Sequence, residues 1–329
     1  DRVLTPDAAA LPIDPTTDVP AGYTEAQRGV PGGFDAEADI LDTWATSSLT
    51  PQLAGGWQRD EELWQLTAPF DLRPQGQDII RTWLFSTMLR STLEDGRAPW
   101  KNAAISGFIV DPDRKKMSKS KGNVVTPADV LDAHGSDAVR YWAASSRLGM
   151  DAAFDPQNPT QVKIGRRLAI KVLNAAKFVL SFPVPEGAQV THALDASMLT
   201  ALDGVVAEAT AAFDRYDAAR ALELTEAFFW TFCDDYLELV KERAYNQNDV
   251  GQASAALALR LALSTLLRLL APVLSFATEE AWSWFEEGSV HTAAWPEKLG
   301  IEGDPTVLAA ASEALIGIRR AKTEAKASQ

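Results

Sequence analysis

The stretch Arg114-Lys115-Lys116-Met117-Ser118-Lys119-Ser120-Lys121-Gly122-Asn123 decides how the rest of the chain is interpreted. Five cations fall within eight residues, and a methionine and two serines separate the lysines. Lysine ammonium groups act as point charges toward phosphate oxygens, and Gly122 and Asn123 tolerate the positive φ of a tight turn. The pattern therefore predicts a polyphosphate-binding loop that swings on Gly122 and Asn123, in preference to a solvated surface loop.

Composition sets broad limits on the class of protein. The chain has 329 residues, of which 46% are hydrophobic and 23% charged, so it is long enough for two ordinary globular domains. The single cysteine, Cys233, excludes an internal disulfide, and the three histidines are far apart in the sequence. We therefore expect no metal site and a reducing, cytoplasmic setting. The most apolar segment, 257–277, contains two arginines and a proline, which predicts a pair of buried helices and not a membrane span.

The net charge of −14 argues against indiscriminate binding to nucleic acid, although a local cationic track on an acidic body is sufficient for a specific complex. The lysine run is one such track. Segment 161–181 is a second, because it carries five cations and no Asp or Glu. Two interpretations of this segment stay open, an exposed basic helix face and a nucleic-acid contact, and the candidate contact residues are Arg166, Arg167 and Lys171.

The hydrophobic pattern of the first half indicates mixed structure. Residues 1–36 are rich in Pro, Gly, Asp and Thr and lack a sustained period, which is typical of an extended connection. Residues 37–160 alternate short apolar runs with helical periods, which predicts a parallel α/β sheet. The predicted strands are 70–73 and 105–110, and the predicted helices are 61–66, 77–93, one that begins with Thr126 as N-cap and Pro127 as first residue, and 137–146.

Beyond residue 160 the strand signals end and one helical period follows another. The predicted helices of an antiparallel all-α bundle are 161–181, 196–214, 217–245, 252–270 and 272–287. A polar linker and a helix over 306–327 follow. Within the third helix, four aromatic residues could stack on bases, but their spacing favours core packing; they are Phe228, Phe229, Trp230 and Phe232.

Three motifs in order relate the chain to a known family. They are Leu41-Asp42-Thr43-Trp44-Ala45-Thr46-Ser47-Ser48-Leu49, Arg73-Pro74-Gln75-Gly76-Gln77-Asp78-Ile79-Ile80-Arg81-Thr82-Trp83, and Lys116-Met117-Ser118-Lys119-Ser120. Together they resemble the C-terminal half of the catalytic domain of valyl-tRNA synthetases, which are class I aminoacyl-tRNA synthetases. Segments 232–238 and 266–282 resemble the anticodon-binding domain of the same family. The resemblance implies an α/β half of a Rossmann-type class I catalytic domain followed by an all-α helical bundle.

The resemblance also implies four segments. Residues 1–36 correspond to a connector that returns from an inserted editing domain, and residues 37–160 to the second half of the catalytic domain, with the lysine loop and a stem-contact region. Residues 161–298 correspond to the helical anticodon-binding domain. Residues 299–329 correspond to a linker and the start of a truncated helix.

The function that the resemblance implies is ligation of valine to tRNA(Val). Such an enzyme activates valine with ATP, accompanied by Mg²⁺, to valyl-adenylate, and transfers the valyl group to tRNA(Val). A cytoplasmic enzyme without a membrane partner, monomeric at full length, is implied as well. Two alternatives stay open: a fragment of an isoleucyl- or leucyl-tRNA synthetase, and a non-catalytic tRNA-binding module.

By resemblance, the second motif and the lysine loop supply the ATP-binding residues. Lys119 and Lys116 would be catalytic, because they would stabilise negative charge on phosphate oxygens in the transition state. Gly76 would let the backbone approach the nucleotide, and Asp78 would accept hydrogen bonds from ribose hydroxyls, with a simple helix cap as the alternative. The implied ATP-binding set is Lys116, Met117, Ser118, Lys119, Ser120, Gly76 and Asp78.

The implied amino-acid pocket is apolar. Trp44 would form a flat wall against a small branched side chain, with a structural core tryptophan as the alternative. Ile79 would favour valine over isoleucine. Gln77 stands where the family usually has His or Tyr, so no contact is assigned to its side chain.

One signature of the family does not occur in the chain, since none of the three histidines has the spacing His-x-Gly-His. We expect that half of the ATP site, together with the editing domain, to lie upstream of Asp1. The chain alone is therefore expected not to form an aminoacyl-adenylate.

Overall fold

The computed structural model describes residues 2–326, which fold into two compact units. The first unit comprises Asp1–Arg73 and Asp78–Ala103, and the second comprises Pro74–Gln77 and Ala104–Gln329. Each unit has its own secondary structure and its own buried residues.

Short helices and two strands make up the ordered elements after residue 42 in the first unit. They are α1 (Thr43–Ser47), α2 (Thr50–Ala54), α3 (Glu61–Thr67), strand β1 (Phe70–Gly76), a 3-10 turn (Gln77–Ile79), a π-helical segment (Ile80–Leu84), α4 (Phe85–Asp95) and strand β2 (Trp100–Ser106). Strands β1 and β2 form a two-stranded sheet, and the last residues of both strands belong to the second unit.

Acidic residues begin two helices of the first unit. Asp42 accepts a hydrogen bond from the backbone N–H of Trp44 at 2.8 Å, and Asp60 accepts one from that of Leu63 at 3.0 Å. Each carboxylate satisfies an N–H group that has no partner within its own helix. Gly55 lies against the ring of buried Trp64, where a Cβ atom would come within 2.6 Å of a ring carbon, so only glycine fits there.

A buried arginine stacks on two tryptophans of the first unit. Arg73 is 7% exposed, and its guanidinium carbon lies 3.1 Å from the ring centroid of Trp83 and 4.9 Å from that of Trp100. Because burial removes water from the cation, the pKa of Arg73 falls to about 10. Cation–π attraction from the two rings offsets part of the lost hydration.

The second unit begins with a small mixed region. Strand β3 (Ile109–Val110) pairs in parallel with β4 (Ala152–Ala153), with Ile109 opposite Ala152. Between these strands the chain forms α5 (Ala128–His134) and α6 (Ser136–Ala144). The hydrophobic cluster of this region consists of Val130, Ala138, Phe154 and Val162.

Helices form most of the remaining described chain in the second unit. They are α7 (Thr160–Leu180), α8 (Ala193–Asp214), α9 (Ala218–Thr231), a π-helical segment (Phe232–Tyr236), α10 (Leu237–Tyr245), α11 (Gln252–Leu270), α12 (Ser275–Trp282) and α13 (Pro305–Glu324). Helices α8 and α11 are long and apolar enough to cross a membrane by composition. Both supply side chains to the core of the bundle, where 44% and 67% of their apolar windows are buried.

The predicted bundle helices are confirmed, with changes at their ends. Predicted helices 161–181, 196–214 and 252–270 correspond to α7, α8 and α11. Predicted helix 217–245 contains the π-helical segment, and predicted helix 272–287 shortens to α12. Predicted helix 306–327 corresponds to α13, and its residue 327 lies outside the described residues.

Core packing of the aromatic residues is confirmed for three of the four. Phe228, Phe229 and Phe232 are 8%, 2% and 0% exposed, whereas Trp230 is half-buried. Helical spacing therefore identifies the bundle core correctly at these three positions.

Two predicted elements of the α/β region are interrupted. Predicted strand 105–110 breaks after Ser106. At the break the Met150 backbone lies so close to Gly107 that a Cβ atom there would come within 2.3 Å of it, and the N–H of Phe108 donates to the Asp151 carboxylate at 2.8 Å. Helix 77–93 begins as a 3-10 turn and a π-helical segment, so its regular α-helical part is only α4.

One further prediction for this region is wrong, and another is confirmed in part. Thr126 is not the N-cap of α5: Pro127 occupies the capping position, and no side chain caps the helix. The strands among residues 2–326 form two separate two-stranded sheets, and the parallel sheet predicted from the alternation is confirmed for the β3–β4 pair.

A buried carboxylate links four elements of the bundle. Asp195, in the first turn of α8, is 0% exposed. It accepts hydrogen bonds from the Tyr236 hydroxyl at 2.7 Å, from both terminal nitrogens of Arg243 at 2.6 and 2.8 Å, and from the Ser254 hydroxyl at 2.6 Å. Burial and the neighbouring Asp195 carboxylate hold the pKa of Tyr236 well above its ordinary value. The network therefore joins α8, the π-helical segment, α10 and α11 through one charged group.

We expect Asp195→Ala to lower the free energy of unfolding of the second unit by about 3–5 kcal/mol, because Arg243 and Tyr236 would keep buried polar groups without the carboxylate. Urea unfolding followed by circular dichroism measures this change. Asp214→Ala, at an exposed position in the same helix, is the control, with an expected change within about 0.5 kcal/mol. A loss for Asp195→Ala no larger than that of the control would contradict the linking role.

Candidate functional site

The lysine loop occupies the connection between β3 and α5 in the second unit. After Val110 the chain turns at Asp111, and an isolated antiparallel bridge pairs Val110 with Lys116. Residues Lys119–Lys121 form one 3-10 turn that ends at Gly122, whose φ of 67° is left-handed as predicted. The loop is thus a short hairpin followed by a helical turn, and both parts have defined hydrogen bonds.

Asp111 and Asn123 connect the two ends of the loop. The side-chain amide of Asn123 donates to Asp111 Oδ2 at 2.8 Å, and its oxygen accepts from the backbone N–H of Ser118 at 2.9 Å. Asp111 Oδ1 accepts from the backbone N–H of Lys115 at 2.7 Å. The sequence predicts that Gly122 and Asn123 allow the loop to swing; in the structure the Asn123 side chain cross-links the two ends of the loop.

The carboxylate of Asp111 is held in its charged form. Hydrogen bonds from Asn123 and from the Lys115 backbone keep the pKa of Asp111 below its ordinary value. A lowered folded-state pKa means that the carboxylate stabilises the fold above the ordinary pKa, and that this contribution is lost as the pH falls through the folded-state pKa. The hydrogen bonds to Asp111 are therefore fully present near neutral pH.

The side chain of Met117 holds the middle of the loop against the hydrophobic cluster beside it. Its sulfur accepts a hydrogen bond from the backbone N–H of Val125 at 3.3 Å, and its side chain packs against the cluster that contains Val130 and Phe154. The resemblance implies Met117 as an ATP-binding residue. In the structure its side-chain contacts are with this cluster and with the Val125 N–H.

The polar residues of the motif lie on the outer side of the loop. Lys116 and Lys119 are exposed, and the ammonium group of Lys116 lies 4.2 Å from the ring centroid of Phe108. The hydroxyls of Ser118 and Ser120 are 3.2 Å apart and share a hydrogen bond. This arrangement presents two ammonium groups and two hydroxyls, which is the set of donors that a polyphosphate accepts.

The implied amino-acid pocket residues both belong to the first unit. Trp44 is half-buried in α1, which packs against the π-helical segment and α4. Ile79 is half-buried at the end of the 3-10 turn, directly before that segment. Neither residue is part of a buried core cluster, so both remain candidates for a ligand-facing role.

The implied nucleotide-binding residues of the second motif follow β1. Gly76 is the last residue of β1, and Asp78 is exposed in the 3-10 turn after it. Asp78 therefore lies at the strand-to-helix turn that the sequence predicts for it. Gly76 belongs to the second unit and Asp78 to the first.

The basic segment 161–181 forms most of α7, and its three candidate contact residues have different surroundings. Arg166 is exposed and lines a groove of about 610 Å³ whose other walls include Ile170 and Phe276. Arg167 is exposed and lies 5.4 Å from the ring centroid of Trp230. Lys171 instead forms an ion pair with Asp234 at 3.1 Å, which ties α7 to the π-helical segment.

Two residues in or next to these motifs make defined contacts that the sequence does not predict. A sequence signal exists for Asp111, because an acidic residue at the end of a strand and directly before a basic run is placed to accept backbone hydrogen bonds. Arg73 has a weaker one, the coincidence of an arginine in the second motif with the nearby Trp83. Among residues 2–326, no three His, Cys, Asp or Glu side chains gather in a way that could hold a metal ion.

Comparison with known proteins agrees with these motifs. A model of "tRNA synthetases class I (I, L, M and V)" matches residues 23–155, and a model of the "Anticodon-binding domain of tRNA ligase" matches residues 195–329. Curated valine–tRNA ligases are similar over the whole chain: 69% identity for that of Leifsonia xyli subsp. xyli, 60% for that of Thermobifida fusca and 57% for that of Salinispora arenicola. The chain covers 39%, 38% and 41% of these relatives, so it spans about two fifths of their length.

A solved structure supports the fold. A LeuRS of Agrobacterium radiobacter K84, determined as a ternary complex with tRNA and LeuAMS, matches 82% of this chain and 34% of its own, with a TM-score of 0.64 and 21% identity. The fold thus combines a portion similar to the catalytic domain of class I tRNA synthetases with a helical domain. Over its whole length the chain is similar to the valine–tRNA ligases.

Proposed function

We propose that this chain is the part of a valine–tRNA ligase that combines the second half of the catalytic domain with the anticodon-binding bundle. The complete enzyme would activate valine with ATP to valyl-adenylate and transfer the valyl group to tRNA(Val). The observation that carries the proposal is the lysine loop, which presents Lys116 and Lys119 on its outer side in a chain 69% identical to a valine–tRNA ligase.

The proposed chemistry of the loop is electrostatic. When the valine carboxylate attacks the α-phosphorus of ATP, negative charge grows on the bridging oxygen and on the departing pyrophosphate. Lys119 and Lys116 would lie against those oxygens, and the hydroxyls of Ser118 and Ser120 would add donors. Such groups speed the reaction to the extent that they bind the transition state more tightly than the ground state.

The second motif and α1 would complete the portion of the site in this chain. Gly76, without a Cβ, would allow the nucleotide close to the backbone, and Asp78 would accept hydrogen bonds from ribose hydroxyls. Trp44 and Ile79 would form apolar walls for the valine side chain. Mg²⁺ would enter with ATP, bound chiefly by phosphate oxygens, since this ion commonly relies on substrate phosphates and few protein ligands.

The fold of the catalytic portion would be one half of a Rossmann-type domain. The evidence for this in the first unit is an exposed apolar face of α4, formed by Phe85, Met88, Leu89 and Leu93. Such a face is expected of a helix that packs against a further part of the polypeptide. We propose that the remaining length seen in the relatives supplies that partner, the His-x-Gly-His half of the ATP site and an editing domain. Residues 1–36 would be the connector from the editing domain, 37–160 the catalytic portion with its stem-contact region, 161–298 the anticodon-binding domain and 299–329 a linker and helix start.

The helical bundle would bind the anticodon arm of tRNA(Val), with single-stranded bases read by stacking and edge hydrogen bonds. Arg166 and Arg167 on α7 are the proposed backbone contacts, and Lys171 is a weaker one because it already pairs with Asp234. The enzyme is proposed to be cytoplasmic, and monomeric at full length.

We expect the 329-residue chain alone to give no valine-dependent exchange of labelled pyrophosphate into ATP, and a polypeptide of the relatives' length that contains it to give clear exchange. In the longer polypeptide, Lys119→Ala should lower kcat by about 10²–10³, as for loss of one charge-stabilising donor. Lys298→Ala, at an exposed position of the linker after α12, is the matched control and should leave the rate unchanged. Exchange with isoleucine in preference to valine, or equal rates for both lysine variants, would contradict the assignment.

We expect the double charge reversal Arg166→Glu with Arg167→Glu to weaken tRNA(Val) binding and to reduce the slope of log K against log salt by about one for each lost phosphate contact. Filter binding at several salt concentrations measures this slope. Arg215→Glu, an exposed arginine between α8 and α9, is the control. An unchanged slope in the double variant would show that neither arginine contacts the phosphates of tRNA(Val).

A further inference from the structure

The side chains of Asp111 and Asn123 close the lysine loop into a ring. Asn123 bonds Asp111 at 2.8 Å and the Ser118 N–H at 2.9 Å, and Asp111 bonds the Lys115 N–H at 2.7 Å. Asn123 also donates to the Lys116 carbonyl at 3.3 Å. The pair thus contacts the backbone on both sides of Lys116 and Met117.

We propose that Asp111 and Asn123 are positioning residues, which hold the lysine loop in one conformation and so determine where Lys116 and Lys119 present their ammonium groups to a polyphosphate. This inference rests on the proposed function for its catalytic consequence. In this proposal the two side chains act through the loop, by way of their hydrogen bonds to its backbone.

Two sets of contacts hold the loop in this conformation. Asp111 is 7% exposed, and both of its oxygens accept hydrogen bonds, so the cross-link is shielded from competing water. Met117 packs on the cluster of Val130 and Phe154. A loop ordered before the ligand arrives does not spend binding free energy on its own ordering.

The hydrogen-bond pattern allows an exchange of the two groups. In the double variant Asp111→Asn with Asn123→Asp, the new amide at position 111 can accept from the Lys115 N–H through its oxygen. Its NH₂ group can donate to the new carboxylate at position 123, which can in turn accept from the Ser118 N–H. Charge and the three short hydrogen bonds are conserved. The long bond to the Lys116 carbonyl is lost, and a carboxylate oxygen of the new Asp at position 123 faces that carbonyl in its place. Asn123→Asp alone places two carboxylates where 2.8 Å now separates donor and acceptor, which is strongly repulsive.

The experiment compares Asn123→Asp, the exchanged double variant and the wild type in a ligase-length polypeptide, with valine-dependent ATP–pyrophosphate exchange as the assay. Asn123→Asp is expected to lower kcat at least about tenfold, with a lowered melting temperature that stays above the assay temperature, and the double variant to recover kcat to within about threefold of wild type. Asn174→Asp, on the exposed side of α7, is the control and should change neither quantity.

A second readout does not depend on activity. Hydrogen exchange of the Ser118 and Lys115 amides in the 329-residue chain should be slow in the wild type, faster in Asn123→Asp and slow again in the double variant. Unchanged protection in Asn123→Asp overturns the cross-link. Lost protection with wild-type kcat, or a double variant no faster in catalysis than Asn123→Asp, overturns the positioning role. If the wild-type polypeptide gives no valine-dependent exchange, the proposed function fails, and the amide protection still decides the cross-link.

Discussion

Buried aspartates that accept hydrogen bonds from donors distant in the sequence hold the elements of the second unit in place. Asp195 joins the bundle helices through Tyr236, Arg243 and Ser254. Two further aspartates bind backbone N–H groups at 2.7–3.0 Å: Asp137 of α6 binds those of Phe276 and Ala277, and Asp203 of α8 binds those of Leu299 and Gly300. A buried carboxylate is costly unless its donors are in place, so each aspartate penalises any arrangement that moves its donors.

The lysine loop uses the same constraint on a smaller scale. Asp111 is its buried carboxylate, and Asn123 and the Lys115 backbone are its donors. The chain has a net charge of −14, yet these hydrogen bonds hold a local group of lysines together on one loop. Overall charge therefore says little about binding here, because the local arrangement of lysines determines what the loop can attract.

Much of the fold could be predicted from the sequence, because helical periods report burial directly. The apolar spacing of α7, α8 and α11 indicates the bundle, and the aromatic residues Phe229 and Phe232 lie in its core as their spacing suggests. The Lys116–Ser120 motif likewise identifies the loop and the left-handed Gly122. What the sequence does not predict depends on contacts between distant residues. The strand break at Gly107 follows from the nearby Met150 backbone, and the stacking of Arg73 depends on Trp100, which lies 4.9 Å away in space. Residue type alone predicts a hinge at Asn123, whereas its role as a cross-link requires Asp111 within hydrogen-bond distance. Local propensity cannot report such pairings.

The role proposed for the lysine loop is contact with the polyphosphate of ATP. An ATP analogue with an aldehyde on its terminal phosphate, reduced onto a ligase-length polypeptide that contains this chain and mapped by peptide mass spectrometry, tests it most directly. We expect labelling at Lys119 and Lys116, suppressed by excess ATP. Labelling spread over exposed lysines such as Lys163 and Lys298, or labelling that ATP does not suppress, would contradict it.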